Sequence, residues 1–319
     1  MTQSTAPQGT APQNTAPQGT PGALPLSLDR GDGRPVPTEA PGVYLYPESF
    51  ERIVALLRTG IAALAADEPF LRLAVPPVIS RRTIEHAGYV KTFPQLLGTV
   101  HSFAGTGRDW GRLAPLVETG GDWHADQRIS DVVLLPAACY PVYHSLAGHD
   151  LGAAAKFAVD ATCFRQEATS EPGRLRSFRM SELVTAGTEE HCVAWRAHWL
   201  ERVTAWLRAL RLDVRVEVAD DPFFGPGRKL YQAAQRVQEL KLEFAVPVDG
   251  TTVQAVASAN YHKDHFGEVY GFTAGGAVGH TSCIAFGLER IALALINAHG
   301  PWSADWPADV LATLEAAGE

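Results

Sequence analysis

Charged and aromatic side chains recur at alternate positions in two short arms, residues 163–167 and 174–182, on either side of a Glu-Pro-Gly turn. Alternate residues of a β-strand share one face, so the two arms predict a polar row on one side of a sheet. The row consists of Arg165, Glu167, Arg174, Phe178 and Glu182. Because a planar guanidinium offers paired hydrogen-bond donors, such arginines suit a phosphate or a carboxylate. The pattern therefore predicts an anion-binding sheet face.

Two later segments show the same division into a polar and an apolar face. Their polar sides carry Glu239, Lys241, Glu243, Gln254, Ser258 and Asn260. Ion pairs on a solvated sheet explain any one strand of this kind. A ligand-binding sheet face explains the four strands together better. They mix Arg, Phe, Glu and Asn, and they lack the repeated Thr and Lys that are usual on a solvent-exposed face. A carboxylate such as Glu243 could hold a divalent cation beside bound phosphates.

Cysteines offer a second kind of chemistry. They stand far apart, without a Cys-x-x-Cys pair, at Cys139, Cys163, Cys192 and Cys283. This spacing fits a reducing cytoplasm, with free thiols or metal ligands, better than a disulfide framework. A single cysteine is more often a small buried hydrophobe than a ligand, and His262 and His265 are rival ligands. Spacing alone therefore identifies no metal site.

The elements that must position these residues follow from periodicity. Helices are predicted at residues 47–64, 188–210 and 287–298, the first from an apolar stripe and the second from the capping residue Thr188. Strands are predicted at residues 129–135, 157–167, 175–183, 212–218, 237–246, 253–261 and 281–286. Mostly consecutive strands with helices set apart indicate an α+β fold, an antiparallel β-sheet flanked by helices.

Composition narrows the class of protein. The chain has 319 residues, of which 46% are hydrophobic, and this supports a sizeable core in a domain of residues 43–319. A formal net charge of −8 argues against general nucleic-acid binding. The absence of a signal-peptide pattern and of a membrane-spanning stretch predicts a cytoplasmic location without a membrane partner. Residues 1–42 begin with a Thr-Ala-Pro-Gln-Gly type of repeat and are predicted to be a disordered tail.

Three segments resemble the signature motifs of class II aminoacyl-tRNA synthetase catalytic cores. "FRQE", a turn and "RLRSFRMSE" match motif 2, and "AFGLERIALAL", residues 285–295, matches motif 3. The Pro76-Pro77 strand after a long helix looks like motif 1, which in the family builds the dimer interface. The resemblance covers residues 44–298 and implies the class II synthetase fold and a homodimer.

Within class II, further segments look closest to truncated homologues of zinc-dependent seryl-tRNA synthetases. These segments are "PPVISRRTIEHAGYVKTFP", "FRMSE" and "SANYHKDHFG". The homologues are amino acid:[carrier protein] ligases, which activate glycine or alanine with ATP and load it onto the phosphopantetheine thiol of a carrier protein. The resemblance implies Zn²⁺ held by Cys139, Glu182 and Cys283, with the substrate amino group completing the coordination shell.

The resemblance also implies an ATP site on the polar face. Arg165 and Arg290 would be the catalytic residues, Arg165 at the α-phosphate and the amino-acid carboxylate, and Arg290 at the γ-phosphate. Phe178 would stack on adenine, and Glu167 and Arg174 would hold the nucleotide. The chemistry would be positioning and charge neutralisation during attack of the carboxylate on the α-phosphorus.

Magnesium and the substrate would occupy the neighbouring strands. Glu243 would bind Mg²⁺ with a residue near Ser258 or Asn260, and Ser258, Asn260 and Lys241 would bind substrate. Seryl synthetases carry a metal-binding Glu where this chain carries Gln254, which leaves the magnesium ligands open.

Three functions stay open: a carrier-protein ligase, a zinc-dependent seryl-type tRNA synthetase, and a non-catalytic class II paralogue that acts as a regulator. The lack of a recognisable folded domain beside the core argues against tRNA, and the two catalytic arginines argue against a silent paralogue.

The predicted helix at residues 188–210 has an apolar stripe of Val193, Ala197, Leu200, Val203 and Leu207. Its neighbouring arginines, which could meet an acidic carrier helix, are Arg196, Arg202, Arg208 and Arg211. Core packing or a dimer contact is the alternative.

Overall fold

A computed structural model of the protein describes residues 31–167 and 171–315. Its helices are α1 (Glu48–Leu64), α2 (Arg81–His86), α3 (Tyr89–Thr92), α4 (Gly107–Glu118), α5 (Tyr140–Ser145), α6 (Glu189–Ala209), α7 (Arg228–Val237), α8 (His265–Tyr270), α9 (Leu288–His299) and α10 (Ala308–Glu315). Its strands are β1 (Val36–Pro37), β2 (Tyr44–Leu45), β3 (Leu71–Val75), β4 (Val78–Ser80), β5 (Thr99–Phe103), β6 (Gln127–Leu134), β7 (Ala154–Phe164), β8 (Ser177–Gly187), β9 (Arg215–Val218), β10 (Lys241–Pro247), β11 (Val253–Lys263), β12 (Thr273–Ala274), β13 (Ala277–Val278) and β14 (His280–Gly287).

A seven-stranded sheet in the order β3-β7-β8-β14-β11-β10-β9 forms the centre of the fold. Neighbouring strands run antiparallel, except that the edge strand β3 runs parallel to β7. A separate three-stranded sheet has the order β4-β6-β5. The predicted α+β fold with an antiparallel sheet flanked by helices is therefore confirmed, apart from the parallel pair at one edge.

Apolar layers cover both faces of the sheet. Helices α1, α6, α9 and α10 bury one face around a core that includes Phe50, Trp199, Phe244 and Phe286. A second core, which includes Ile84, Tyr143 and Phe157, joins the other face to α2, α5 and α8. This second layer covers only part of its face, and the polar remainder lines a cavity.

The predicted helices α1, α6 and α9 form close to their expected bounds, whereas α4, α7 and α10 were not predicted. The strand expected at residues 237–246 begins only at Lys241, because Arg228–Val237 is a helix. Leu230, Ala234 and Val237 recur at helical spacing in α7, but none of its ten residues is buried, and Leu230 and Val237 are exposed.

Tryptophans, more than the predicted aliphatic stripe, form the buried side of α6. Trp195, Trp199 and Trp206 are buried, whereas Val193 is 42% exposed. The carboxylate of Glu68 accepts hydrogen bonds from Trp195 Nε1 at 3.1 Å and Trp199 Nε1 at 2.8 Å. Because a buried indole N–H needs an acceptor, this carboxylate allows both rings to enter the core.

The predicted disordered tail, residues 1–42, lies mostly outside the described residues. Its last part is structured, since β1 pairs with β2 and the backbone N–H of Arg176 donates to Gly42 O at 2.8 Å. The boundary at residue 42 between the tail and the catalytic domain stays a prediction. Across the described segments, no helix has both the length and the apolar character needed to cross a membrane.

Candidate active site

Strand register places the predicted polar residues in two rows on one face. In the first row, Lys241 on β10 lies opposite Asn260 on β11, which lies opposite Cys283 on β14. The next row runs through Glu243, Ser258, Ala285 and Glu182. Directly paired residues of antiparallel strands point to the same side, so the alternation in the sequence corresponds to a continuous polar floor.

A cavity of about 240 Å³ lies over this floor. Of the residues predicted to form the site, all but Arg174 line the cavity: Cys139, Arg165, Glu167, Phe178, Glu182, Lys241, Glu243, Ser258, Asn260, Cys283 and Arg290. These residues come from β8, β10, β11, β14, α9 and the loops beside β6 and β7. The structure therefore brings together groups that are up to 151 residues apart in the sequence, from 139 to 290.

Arg174 lies beside the cavity in the turn that connects the two arms. Its Nε donates to Glu171 at 2.8 Å, and its Nη1 lies 3.8 Å from Glu167. Gly173 in the same turn has φ +71°, and a Cβ at this position would lie 2.6 Å from Gln254 Oε1 and 3.0 Å from Arg290. The turn therefore needs glycine for its backbone and for the close approach of these side chains.

Two arginines face the cavity from opposite elements. Arg165 Nε donates to Pro136 O at 3.1 Å, and its guanidinium lies 5.5 Å from the centre of the Phe178 ring. Arg290 donates from Nε to Gly173 O and from Nη1 to Ala255 O, each at 2.8 Å. Burial, followed by repulsion from Arg174 and Arg165, lowers the pKa of Arg290. Guanidiniums held by carbonyls and facing one space form a site for a polyanion.

The predicted metal ligands also meet at this cavity. Atoms of Cys139, Glu182 and Cys283 that could bind a metal all lie within 4.8 Å of one another, and the three side chains are buried. The N–H of Ala138 donates to Glu182 Oε1 at 3.2 Å. The other oxygen, Oε2, is buried and has no hydrogen-bond donor among the described residues. A cation bound by the two sulfurs and this oxygen would satisfy the carboxylate, so the residues fit Zn²⁺.

The protonation of this triad reflects its burial. Burial, followed by repulsion from Cys283, raises the pKa of Glu182 to about 8. The hydrogen bond between the two thiols lowers the pKa of Cys283 well below its usual value and raises that of Cys139. Three acidic groups that cannot all ionise in one buried place are typical of a site that requires a cation.

Asp221 is a site residue that sequence reasoning missed. It lines the cavity from the loop before α7, and its Oδ1 accepts from Lys241 Nζ at 2.7 Å. Lys241 also lies 3.1 Å from Glu243 Oε1. Burial alone would lower the pKa of Lys241, but Asp221 and Glu243 raise it. Asp221 lies outside the strands, so no alternation in the sequence could have indicated it.

A second missed pair lies behind the floor. Arg179, which points to the opposite face of β8 from Phe178, donates from Nε to Glu289 Oε1 at 2.7 Å and from Nη1 to Glu51 Oε2 at 2.7 Å. Its guanidinium also lies 4.7 Å from the centre of the Tyr46 ring. The pair joins motif 2, motif 3 and α1, and it fixes the start of the helix that carries Arg290. Glu289 directly precedes Arg290 in motif 3, which was the available signal.

The arginines beside α6 are largely held by their own chain. Arg196 donates to Glu239 O at 2.6 Å, and Arg202 pairs with Asp67 at 2.7 Å. Arg211 pairs with Asp309 at 2.8 Å. These arginines therefore have partners within their own chain. Their contact with an acidic carrier helix stays a prediction.

The fold matches solved seryl-tRNA synthetases. The chain superposes on M. kandleri SerRS, from its crystal structure in complex with A. aeolicus tRNASec, with a TM-score of 0.76 and 20% identity over 90% of this chain and 59% of that one. Seryl-tRNA synthetase from Pyrococcus horikoshii complexed with ATP gives a TM-score of 0.59 at 16% identity, over 82% and 54% of the two chains. The present chain spans a little over half of each synthetase. The chain thus has the fold of these synthetases, and the predicted class II synthetase fold is confirmed.

A closer relative defines the family. Amino acid–[acyl-carrier-protein] ligase 1 of Bradyrhizobium diazoefficiens is 40% identical over 277 residues, which cover 84% of this chain and 83% of that protein. No protein-family model matches the chain. The chain belongs to the amino acid–[acyl-carrier-protein] ligase family and is an enzyme of the ligase class.

Proposed function

We propose that the enzyme uses ATP to convert a small amino acid, glycine or alanine, into an aminoacyl-adenylate and transfers the aminoacyl group to the phosphopantetheine thiol of a carrier protein, with release of AMP. The observation that carries this proposal is the opening of a buried Cys-Glu-Cys triad and two half-buried arginines onto one cavity. The triad offers a place for an amino group, and the arginines offer a place for phosphates. Adenylate formation needs both at once.

ATP binding follows from the groups that line one side of the cavity. Phe178 presents a ring for adenine, and Arg165 neutralises charge on the α-phosphate and the amino-acid carboxylate. Arg290 binds the γ-phosphate, and Glu167 and Arg174 steady the nucleotide from the turn. The substrate carboxylate attacks the α-phosphorus, the bond to the bridging oxygen breaks, and pyrophosphate leaves. Fixed guanidiniums stabilise this charge without reorganisation during the reaction.

Zinc would be held by Cys139, Glu182 and Cys283. When bound, it supplies an open coordination position that accepts the neutral amino group of the substrate. The three residues orient the amino acid so that its carboxylate faces Arg165. The small size of the substrate is proposed from the family resemblance. One methyl group changes binding by only about 1–3 kcal/mol, so the cavity alone does not select between glycine and alanine.

Magnesium would neutralise the pyrophosphate beside Glu243. In strand register Glu243 lies opposite Ser258, and its carboxylate pairs with Lys241 at 3.1 Å. Lys241 is therefore held by the carboxylates of Asp221 and Glu243. To bind substrate, its ammonium group would exchange one of these two contacts for a substrate oxygen. Ser258 and Asn260 complete the substrate side of the floor.

The acceptor distinguishes this proposal from a tRNA synthetase. The purified enzyme would be incubated with ATP, Mg²⁺ and labelled glycine, alanine or serine, together with a phosphopantetheinylated carrier protein or total tRNA. A thioester on the carrier that is sensitive to hydroxylamine is expected, without stable label on tRNA. Label on tRNA alone would favour the seryl-type synthetase. Absence of pyrophosphate exchange with every amino acid would favour a non-catalytic paralogue.

A homodimer is the expected assembly. The Pro76-Pro77 segment that resembles motif 1 follows β3, which is the edge strand of the central sheet, and Leu71 on this strand is 59% exposed. An edge strand with an exposed apolar side chain suits contact with a second copy. Light scattering of the purified protein would report a mass twice that of the 34.3 kDa chain.

A further inference from the structure

Two side-chain nitrogens approach the sulfur of Cys283. Asn260 Nδ2 lies 3.4 Å from Cys283 Sγ, and His262 Nε2 lies 3.9 Å from it. Asn260 faces Cys283 directly across the β11–β14 ladder, so the sheet itself fixes this approach. The same Nδ2 lies 3.1 Å from Ser258 Oγ, which orients the amide group. The contact is therefore built into the strand register.

The surroundings of His262 determine which of its nitrogens carries the hydrogen. Its Nδ1 lies 3.0 Å from Thr281 Oγ1 and 3.4 Å from the hydroxyl of Tyr143. A hydroxyl that donates to Nδ1 leaves the hydrogen of neutral histidine on Nε2, which faces the sulfur. The ring is also held edge-on by Tyr143 and Phe266, with centroids 5.6 Å and 5.3 Å away.

The two sulfurs of the triad differ in their contacts with side-chain nitrogens. Among the described residues, Cys139 Sγ has no such approach by a side-chain nitrogen, whereas Cys283 Sγ has two. The group of His, Cys, Asp and Glu atoms close enough to hold one metal together consists of Cys139, Glu182 and Cys283, and it does not include His262. Both side chains thus approach the triad through Cys283.

We propose that Asn260 and His262 are positioning residues that donate N–H···S hydrogen bonds to Cys283 and thereby set the charge that its thiolate gives to the metal. This inference rests on the zinc site of the proposed function. A hydrogen bond to a thiolate withdraws charge from the sulfur, so the metal becomes a stronger Lewis acid on the side that accepts the amino group. Groups behind metal ligands commonly orient and tune them in this way.

The test uses the full-length protein loaded with Co²⁺, whose thiolate-to-metal charge-transfer band reports on the sulfur. Asn260→Leu and His262→Phe remove one nitrogen donor each. His262→Gln keeps a nitrogen near the position of Nε2, and His265→Phe is the matched control, because His265 stands in the same segment without a contact to Cys283. The first two variants are expected to shift the band to longer wavelength. Because they also remove donors that favour the ionised thiolate, they should weaken Zn²⁺ binding about 10–100-fold in chelator competition. His262→Gln should recover most of both effects, and the control should match the wild type.

The outcomes separate this inference from the proposed function. A wild-type protein without a thiolate band would overturn the metal site and this inference with it. A wild-type band that neither Asn260→Leu nor His262→Phe shifts, with unchanged zinc affinity, overturns only the roles of Asn260 and His262. Melting temperatures of the metal-free variants identify any that fail to fold. Because the two donors lie on different side chains, either folded variant gives the answer.

Discussion

Arg179 and Glu289 are joined by two hydrogen bonds behind the active site. Arg179 Nε donates to Glu289 Oε1 at 2.7 Å, and the backbone N–H of Arg179 donates to Oε2 at 2.9 Å. Glu289 is 2% exposed, and it immediately precedes the proposed catalytic residue Arg290. The pair therefore connects the strand that carries Phe178 with the helix that carries Arg290, and it supports the relative placement of both.

Replacing Arg179 tests this connection. Arg179→Met would leave the Glu289 carboxylate buried without its partner, and it should lower the free energy of unfolding by about 3 kcal/mol. Urea denaturation measures the change. Arg52→Met is the matched control, since Arg52 and Glu48 pair on the surface with side chains 70% and 78% exposed, and its loss should stay below about 0.5 kcal/mol. Equal losses in the two variants would show that the buried pair contributes no more than a surface pair.

The two cavity arginines should be needed for activation. Arg165→Ala and Arg290→Ala each remove a fixed cation from the proposed phosphate site, and each should lower the rate of ATP–pyrophosphate exchange at least about 100-fold. Arg174→Ala serves for comparison because Arg174 lies beside the cavity and pairs with Glu171. A smaller loss is expected for it. Exchange near the wild-type rate in Arg165→Ala or Arg290→Ala would contradict the proposed ATP site.

Zinc content should depend on the triad and not on cysteine in general. Cys283→Ser replaces a soft thiolate by a hydroxyl, which is a much poorer ligand, and most of the zinc should be lost after dialysis. Elemental analysis measures the metal. Cys163→Ser is the control, because Cys163 is equally buried but lies outside the triad, and it should keep its zinc. Loss of metal from both variants would point to general damage to the fold.

Gly173 should be required for the turn that holds Arg290. Gly173→Ala places a Cβ 2.6 Å from Gln254 Oε1 at a residue with φ +71°. Gly148→Ala meets nearly the same backbone cost, at φ +72°, but its Cβ would have no neighbour within 4 Å. The control should lose about 1 kcal/mol of stability. Gly173→Ala should lose more and also reduce pyrophosphate exchange, and equal stability and activity in the two variants would argue against a role for the close contact.

Much of the site could be predicted because it lies on strands. Side chains on one face recur at every second residue, so Lys241, Glu243, Ser258 and Asn260 could be assigned to one side before any pairing was known. The resemblance to class II motifs then supplied the metal and ATP residues. Asp221 escaped this reasoning, since a loop has no period. The helical spacing of Leu230, Ala234 and Val237 was the signal for α7 that it missed.

The sequence by itself determined the fold class, the polar parity of the strands and the family of the catalytic core. Tertiary structure alone decided which polar residues meet, because register is set by contacts between strands far apart in the chain. It placed Asn260 opposite Cys283, joined Asp221 to Lys241 and buried the tryptophans of α6 against Glu68. These pairings depend on distances between elements, and local side-chain patterns contain no information about such distances.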